Sequence, residues 1–221
     1  MVRDRHLVWC AALAEQAAPA LLGPEQGVWL TRLNREHDNL RAALRWALDR
    51  GLSALGLRLA GGLLKYWLRG GHQREGRGWL AVLLALGADD DDGAAMAARA
   101  TALEAAAWLA EDQHDFARAS ALFARSGALR RAMGQEERPD AALVNAALEA
   151  RASGDYARAT TLLEESLAQQ RRLGNGESAR KGTWDPCSPS PTAIPYWHWR
   201  WCCGSRATMR GRSRCARRAW P

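Results

Sequence analysis

The sequence has few of the residues that build β-sheets. It contains two Phe and three Tyr, and its β-branched residues are sparse beside Ala and Leu. Because aromatic and β-branched side chains are enriched in strands, this shortage argues against a β-fold. Apolar residues make up 48% of the 221, a proportion that suits a helical protein of one or two domains. We therefore predict an all-α fold.

Three further features are absent from the sequence. No apolar run is long enough to span a membrane. The first ten residues include Asp4 and His6, where a signal peptide would turn apolar. The phosphate-binding pattern G-x-x-x-x-G-K-[ST] does not occur. These absences predict a cytoplasmic chain that uses no membrane and carries no nucleotide loop.

The positive charge is confined to one end of the chain. Residues 182–221 contain seven Arg and one acid, Asp185, and so contribute +6 of the net +7. The preceding 181 residues are nearly neutral. A basic protein often binds nucleic acid, but this distribution gives the main part of the chain no such surface. We expect no direct nucleic-acid binding by this segment, and we interpret the end of the chain as a tail of different origin.

The tail has a codon-level relationship to the segment before it. Codons for Gly-Asp-Tyr-Ala-Arg-Ala at 154–159, read one base later, encode Ala-Thr-Met-Arg-Gly-Arg at 207–212. Codons for Glu-Glu-Ser-Leu-Ala at 164–168 give Arg-Arg-Ala-Trp-Pro at 217–221 in the same way. Both matches lie 53 residues after their originals. We infer that the gene continues into another repeat and that the reading frame slips near 174–183, which sequencing of the gene tests.

The strongest pattern is a corner that occurs twice. Residues 114–119 read His-Asp-Phe-Ala-Arg-Ala, and residues 154–159 read Gly-Asp-Tyr-Ala-Arg-Ala, 40 positions later. Gly154 can end a helix with positive φ, and Asp155 can cap the next helix. The helices before the two corners match as well, and a weaker copy begins at Gly71. Repeated helix–turn–helix units of this length are typical of an α-solenoid.

These patterns give a domain plan. We predict N-terminal helices over 1–50, stacked antiparallel hairpins of tetratricopeptide (TPR) type with a period of about 40 over 51–174, and a disordered tail over 175–221. In the first helix, Leu7, Cys10, Ala11 and Ala14 share the apolar side. Asp38 is expected to cap a helix over 39–49, and one continuous helix is expected over 52–69.

Residues 2–174 resemble the helical-repeat region of bacterial transcriptional regulators and predicted signal-transduction ATPases of the LuxR and AfsR type. The resemblance implies a segment that senses an inducer or a partner protein. In that family a nucleotide-binding domain precedes the segment, and some members end in a helix-turn-helix; this chain contains neither. The segments that carry the resemblance are Leu-Gly-Pro-Glu-Gln at 22–26, Trp-Leu at 29–30, Arg-Glu-His-Asp-Asn-Leu-Arg-Ala-Ala-Leu at 35–44, Trp-Ala-Leu at 46–48, Arg-Gly-Gly-His at 69–72 and the two corners.

Several residue groups could suggest chemistry, but structural roles explain them better. Capping and surface contacts are favoured over metal ligation for Glu36, His37 and Asp38, because adjacent side chains on a helix diverge. Packing in the core is favoured over a ligand cage for Trp29, Trp46, Trp67, Trp79 and Trp108. The other groups examined in this way are Asp89–Asp92, the consecutive Glu164 and Glu165, Cys187, Cys202, Cys203 and Cys215, and the aromatic run 196–201. We therefore predict no catalytic residue, no cofactor and no metal.

The function expected from the sequence is protein interaction without catalysis. In a stack of hairpins the first helices line a concave face, and side chains there that do not pack can meet a protein or peptide. We expect Glu104, Asn145 and Glu149 to bind the partner. The alternative is a fragment of a nucleotide-dependent regulator whose ATPase and DNA-binding domains lie outside this chain.

Overall fold

The computed structural model describes residues 2–86, 93–135 and 141–181. Within those ranges the chain forms ten α-helices and no strand, which confirms the all-α prediction. None of the helices in this part of the chain is long and apolar enough to cross a bilayer. The helices are α1 (Val2–Ala20), α2 (Gln26–Arg35), α3 (His37–Asp49), α4 (Ser53–Gly62), α5 (Leu64–Gly70), α6 (Gln73–Ala85), α7 (Gly93–Asp112), α8 (Phe116–Ala132), α9 (Ala141–Ala152) and α10 (Tyr156–Lys181).

Met1–Arg172 form one compact unit, and Leu173–Pro221 form a second. In the first unit α4 packs against α1 and α7, and α7 packs against α6 and α8, which in turn contacts α9. Of the second unit, the structure describes helical residues up to Lys181, so residues 175–181, which we placed at the start of the tail, belong to α10. The predicted disorder of residues 182–221 lies outside the described residues.

The predicted apolar side of α1 is confirmed. Leu7, Cys10, Ala11 and Ala14 are all buried, at a spacing that places them on one face of the helix. Pro19 lies in the last turn of this helix, which continues to Ala20.

Helix α4 is placed by its glycines. A Cβ atom on Gly62 would lie 3.1–3.3 Å from atoms of Ala14 and Glu15 in α1, and one on Gly61 would lie 3.1 Å from Thr101 in α7. A side chain at either position would therefore require these neighbours to shift by a few tenths of an ångström. The helix that we predicted as continuous is interrupted directly after these glycines, at Leu63, and resumes as α5.

The two predicted corners have the same backbone geometry. His114 and Gly154 both adopt positive φ, at 63° and 83°. The following amides also match: the Asp115 N–H donates to the Ala110 carbonyl, and the Asp155 N–H donates to the Ala150 carbonyl, both at 2.8 Å. This hydrogen bond from beyond the helix end satisfies a terminal carbonyl, as in other left-handed helix caps. The two corners thus share a local cap, which also follows α3 at Gly51 and α5 at Gly71.

The two aspartates at these corners have different side-chain roles. Asp155 Oδ1 accepts a hydrogen bond from the Arg158 backbone N–H at 3.0 Å, so the predicted cap is confirmed. Asp115 occupies the corresponding position but makes no side-chain cap bond. Its Oδ2 instead lies 3.4 Å from Arg77 Nη2 of α6.

Candidate functional site

The richest group of polar side chains lies where α2, α3, α5 and α6 meet. We call His37, Tyr66, His72 and Glu75 the histidine cluster. His37 is the first residue of α3, Tyr66 is in α5, His72 precedes α6, and Glu75 is in its first turn. Tyr66 is buried, and the other three are half-buried. Tyr66 is therefore the buried side of the cluster, and the two histidines and Glu75 are partly accessible to solvent.

The backbone before α6 sets the position of His72. Gly71 has φ 81°, and the His72 N–H donates to the Trp67 carbonyl at 3.0 Å. A non-glycine residue is rarely found in this left-handed conformation, which reverses the chain within one residue. His72 and Glu75 are then three positions apart at the start of a helix, where side chains lie on the same face.

Two rings of the cluster stack. The centroids of His37 and His72 are 4.6 Å apart with an interplanar angle of 27°, and Tyr66 lies 5.2 Å from His72. Burial lowers the pKa of His72, and the neighbouring His37 lowers it further. Burial, and then the charge of Glu75, raises the pKa of Tyr66 to about 12. At neutral pH the cluster thus holds a protonated tyrosine hydroxyl and favours a neutral His72.

Hydrogen bonds hold His37 and Tyr66 in place. Tyr66 donates its hydroxyl proton to Asn34 Oδ1 at 3.0 Å. Its oxygen lies 2.9 Å from His37 Nδ1. The other ring nitrogen of His37, Nε2, lies 3.3 Å from Glu75 Oε2.

The second oxygen of Glu75 is fixed separately. Its Oε1 lies 3.0 Å from Arg41 Nε and accepts a hydrogen bond from Trp79 Nε1 at 3.2 Å. The carboxylate is therefore held on one side by α3 and α6 and directs its other oxygen into the cluster. A surface pocket opens at the edge of this group, lined by Gly71, His72, Gln73, Arg74 and Glu75.

The residues predicted to bind a partner are placed as follows. Glu104, in α7, is half-buried and pairs with Arg130 of α8 at 2.8 Å. Glu149, in α9, is exposed and accepts a hydrogen bond from Ser120 at 3.4 Å. Asn145 is half-buried on the same helix as Glu149. The three side chains thus lie on the first helices of the two hairpins, and both glutamates contact α8.

The group Glu36, His37 and Asp38 separates in the structure. Glu36 accepts a hydrogen bond from Asn39 at 2.7 Å, and Asp38 is exposed, 3.9 Å from Arg41. Asp38 does not cap a helix as predicted, because α3 begins at His37 and places Asp38 in the first turn. Only His37 of the three enters the histidine cluster.

Of the remaining groups from the sequence, the structure describes the paired glutamates and the tryptophans of the helices. Glu164 and Glu165 are both exposed on α10. Trp67 and Trp108 are buried, as expected, whereas Trp29, Trp46 and Trp79 are half-buried. The aspartate run 89–92, the four cysteines after 186 and the aromatic run 196–201 lie outside the described residues.

Sequence reasoning missed His72 and Glu75 as partners of His37. A local signal exists, because His72-x-x-Glu75 places two polar side chains on one helix face. Nothing local connects that pair to His37, which lies 35 positions earlier.

No family model, curated protein or solved structure matches this chain.

Proposed function

We propose that this chain is a non-enzymatic helical-repeat segment that binds a protein or peptide through the first helices of stacked hairpins. The observation that carries the proposal is the pair of matching corners at His114 and Gly154, with equal hydrogen-bond geometry 40 residues apart. Because the two corners match, the backbone turns in the same way between α7 and α8 as between α9 and α10. Helical units that repeat in this way bury their apolar faces against neighbours and leave an extended binding surface.

Contacts between the units support the α-solenoid arrangement. Arg151 of α9 donates to Glu111 of α7, again exactly one period of 40 residues earlier along the chain. The guanidinium also lies 3.9 Å from the centroid of Phe116. Ser126 and Ser166, one period apart, are both buried. First helices in contact with each other form the lining of one continuous face in a solenoid.

The surface proposed for binding is the exposed side of α7 and α9. Glu149 is exposed on α9, and Asn145 lies one turn away on the same helix. Glu104 is tied to Arg130, so it shapes this surface together with its cation. A face with acidic and amide groups would suit a partner that presents basic or polar side chains.

The proposed biological role is the sensor or scaffold segment of a bacterial transcriptional regulator. Its support is the resemblance of residues 2–174 to the repeat region of LuxR- and AfsR-type regulators, described above. The second candidate is a fragment of a nucleotide-dependent regulator of that type. An in-frame P-loop domain encoded upstream of Met1 would favour the fragment, and a stop codon with a promoter there would favour a stand-alone repeat protein.

The binding proposal is tested with a partner captured by crosslinking in cells and then purified. Calorimetry would compare the full chain with Asn145→Arg and Glu149→Arg variants, and Glu164→Arg on the exposed side of α10 is the matched control. We expect each of the first two changes to weaken binding at least about tenfold, equivalent to about 1.4 kcal/mol, and the control to have no effect. Equal affinity in all four proteins would rule out this face, and substrate turnover by the chain would contradict the non-enzymatic assignment.

A further inference from the structure

We propose that His37, His72 and Glu75 bind a divalent transition-metal ion, with Zn²⁺ the best match to their donor atoms. One ligand atom from each side chain lies within 4.8 Å of the other two. Two imidazoles and a carboxylate are a common protein donor set for zinc. The site is independent of the surface on α7 and α9 to which we assign partner binding.

The spacing of the first two donors fits a zinc ion. Ligand atoms about 2.0–2.1 Å from a tetrahedral zinc lie about 3.3–3.4 Å from each other. The distance from His37 Nε2 to Glu75 Oε2 is 3.3 Å. These two atoms therefore need little movement to share an ion. The third donor, from His72, lies within 4.8 Å of both, and its half-buried ring at the edge of a pocket would move closer to reach the same separation.

The surrounding residues hold the two donors as the outer shell of a metal site does. Metal-binding histidines usually donate their second ring N–H to another group, and the ligand carboxylate is also hydrogen-bonded. Here Tyr66 contacts His37 Nδ1, and Arg41 and Trp79 both contact Glu75 Oε1. The atoms left facing each other, Nε2 and Oε2, are those that a metal would use.

The site would be open on one side. Two of its three protein ligands, His72 and Glu75, line the pocket formed by Gly71–Glu75, so water can occupy a fourth position. Arg41 offsets the charge of the Glu75 carboxylate. We therefore expect weaker binding than at a closed four-ligand structural zinc site.

The test uses the full chain in which Cys187, Cys202, Cys203 and Cys215 are replaced by Ser, so that thiols of the tail do not bind the probe. After chelation, Co²⁺ is added and its d–d absorption is recorded, and Zn²⁺ affinity is measured by calorimetry. We expect one ion per chain and absorption bands of a low-coordinate nitrogen and oxygen site. A rise in Tm with Zn²⁺ gives an independent readout.

Variants locate the ion. His37→Gln, His72→Gln and Glu75→Gln should each weaken Zn²⁺ binding at least about 100-fold, and Tyr66→Phe, which removes only the outer contact, about 10-fold. His114→Gln, at the corner before α8, is the matched histidine control and should bind normally. Metal-free Tm values identify any variant that fails to fold, and His72→Asn then serves as a second test at that position. No saturable binding by the parent protein, or equal affinity in the ligand variants and the control, would overturn the proposal.

Discussion

Helices α1–α6 and α7–α10 are stabilised by different kinds of side chain. The two largest fully buried side chains among the described residues, Trp67 and Tyr66, lie in α5, and most of the fully buried Leu residues lie between Leu7 and Leu83. From α7 onward, most of the buried apolar residues are Ala. Large side chains therefore predominate in the core of α1–α6. In the core of α7–α10 alanine predominates, which allows the helices to approach each other closely.

This difference explains why the repeat is clearer in the second part, whereas the copy that begins at Gly71 is weaker. Small residues let successive helices pack with similar geometry, so the pattern at α7–α8 can recur at α9–α10. Large side chains need individual pockets and individually placed glycines. Gly76 shows this well, since a Cβ atom there would lie 2.4 Å from the ring of Trp67. Such closely fitted pairs depend on one local geometry, so the same sequence would not fit equally well in every repeat unit.

The largest effect is expected where the fitted contacts are broken. Trp67→Ala should reduce the free energy of unfolding by about 3–5 kcal/mol, because it removes a buried ring and leaves a cavity. Gly76→Ala should cost about 1–3 kcal/mol by overpacking against that ring. In the Trp67→Ala background, Gly76→Ala should stabilise the protein, because its Cβ no longer clashes with the Trp67 ring and Ala has a higher helix propensity than Gly. Urea unfolding of the four proteins measures this coupling, and additive effects would contradict the close fit.

The second effect concerns the buried polar pair that links α7 to α9. Glu111 and Arg151 are largely buried, at 10% and 13% side-chain exposure. Arg151→Met leaves a buried carboxylate without its cation and should cost about 3 kcal/mol near neutral pH. Replacing both residues, with Glu111→Leu and Arg151→Met, should restore most of the loss, because neither charge is then buried alone.

The cost of Arg151→Met should depend on pH. Burial raises the pKa of Glu111 above its ordinary 4.5, and Arg151 acts in the opposite direction. Without the arginine the pKa rises further, so the folded state binds the proton more tightly than the unfolded state does. The stability of the variant is then greatest below the ordinary pKa and is lost as the pH rises through the raised one. Unfolding at about pH 4 and about pH 7 checks this, and an equal cost at both would show that Glu111 is not the group responsible.

Much of the fold could be predicted from the sequence because its signals are local. Apolar spacing identified the buried side of α1, and a glycine with its following aspartate identified the corner at Gly154. The break at Leu63 could not be predicted in this way. It follows two glycines that fit against Ala14 and Thr101, and these contacts depend on distant parts of the chain.

The candidate site was less predictable for the same reason. His37 was noticed beside Glu36 and Asp38, but its actual neighbours come from α5 and α6. Adjacent residues on a helix point in different directions, so chain proximity was a poor guide to spatial proximity. By contrast, Glu104, Asn145 and Glu149 were selected from repeat position alone, and their role in binding stays a prediction.

A smaller effect should distinguish the two corners. His114 adopts a left-handed conformation that Gly154 adopts without strain. We expect His114→Gly to stabilise the protein by about 1 kcal/mol and Gly154→Ala to destabilise it by about 1–2 kcal/mol, because a side chain at positive φ is unfavourable. The ring of His114 lies 5.7 Å from that of Phe116, so His114→Asn, which tolerates this conformation better, separates backbone strain from ring contact. Destabilisation by His114→Gly would mean that the ring contact outweighs the strain.

The smallest effect concerns the aspartates that follow these two residues. Asp155 caps α10, whereas Asp115 pairs with Arg77 across the surface. Asp155→Ala should cost about 1 kcal/mol, and Asp155→Asn much less, because an amide oxygen can accept the same backbone hydrogen bond. At Asp115, Ala and Asn should cost similar amounts, each below about 1 kcal/mol, because both remove the charge. Added salt should reduce the cost only at Asp115, since screening weakens an exposed ion pair more than a capping hydrogen bond. Unfolding of the four variants at low and high salt tests this; the same pattern at both positions would show that the corners are equivalent in their side chains as well as in their backbone.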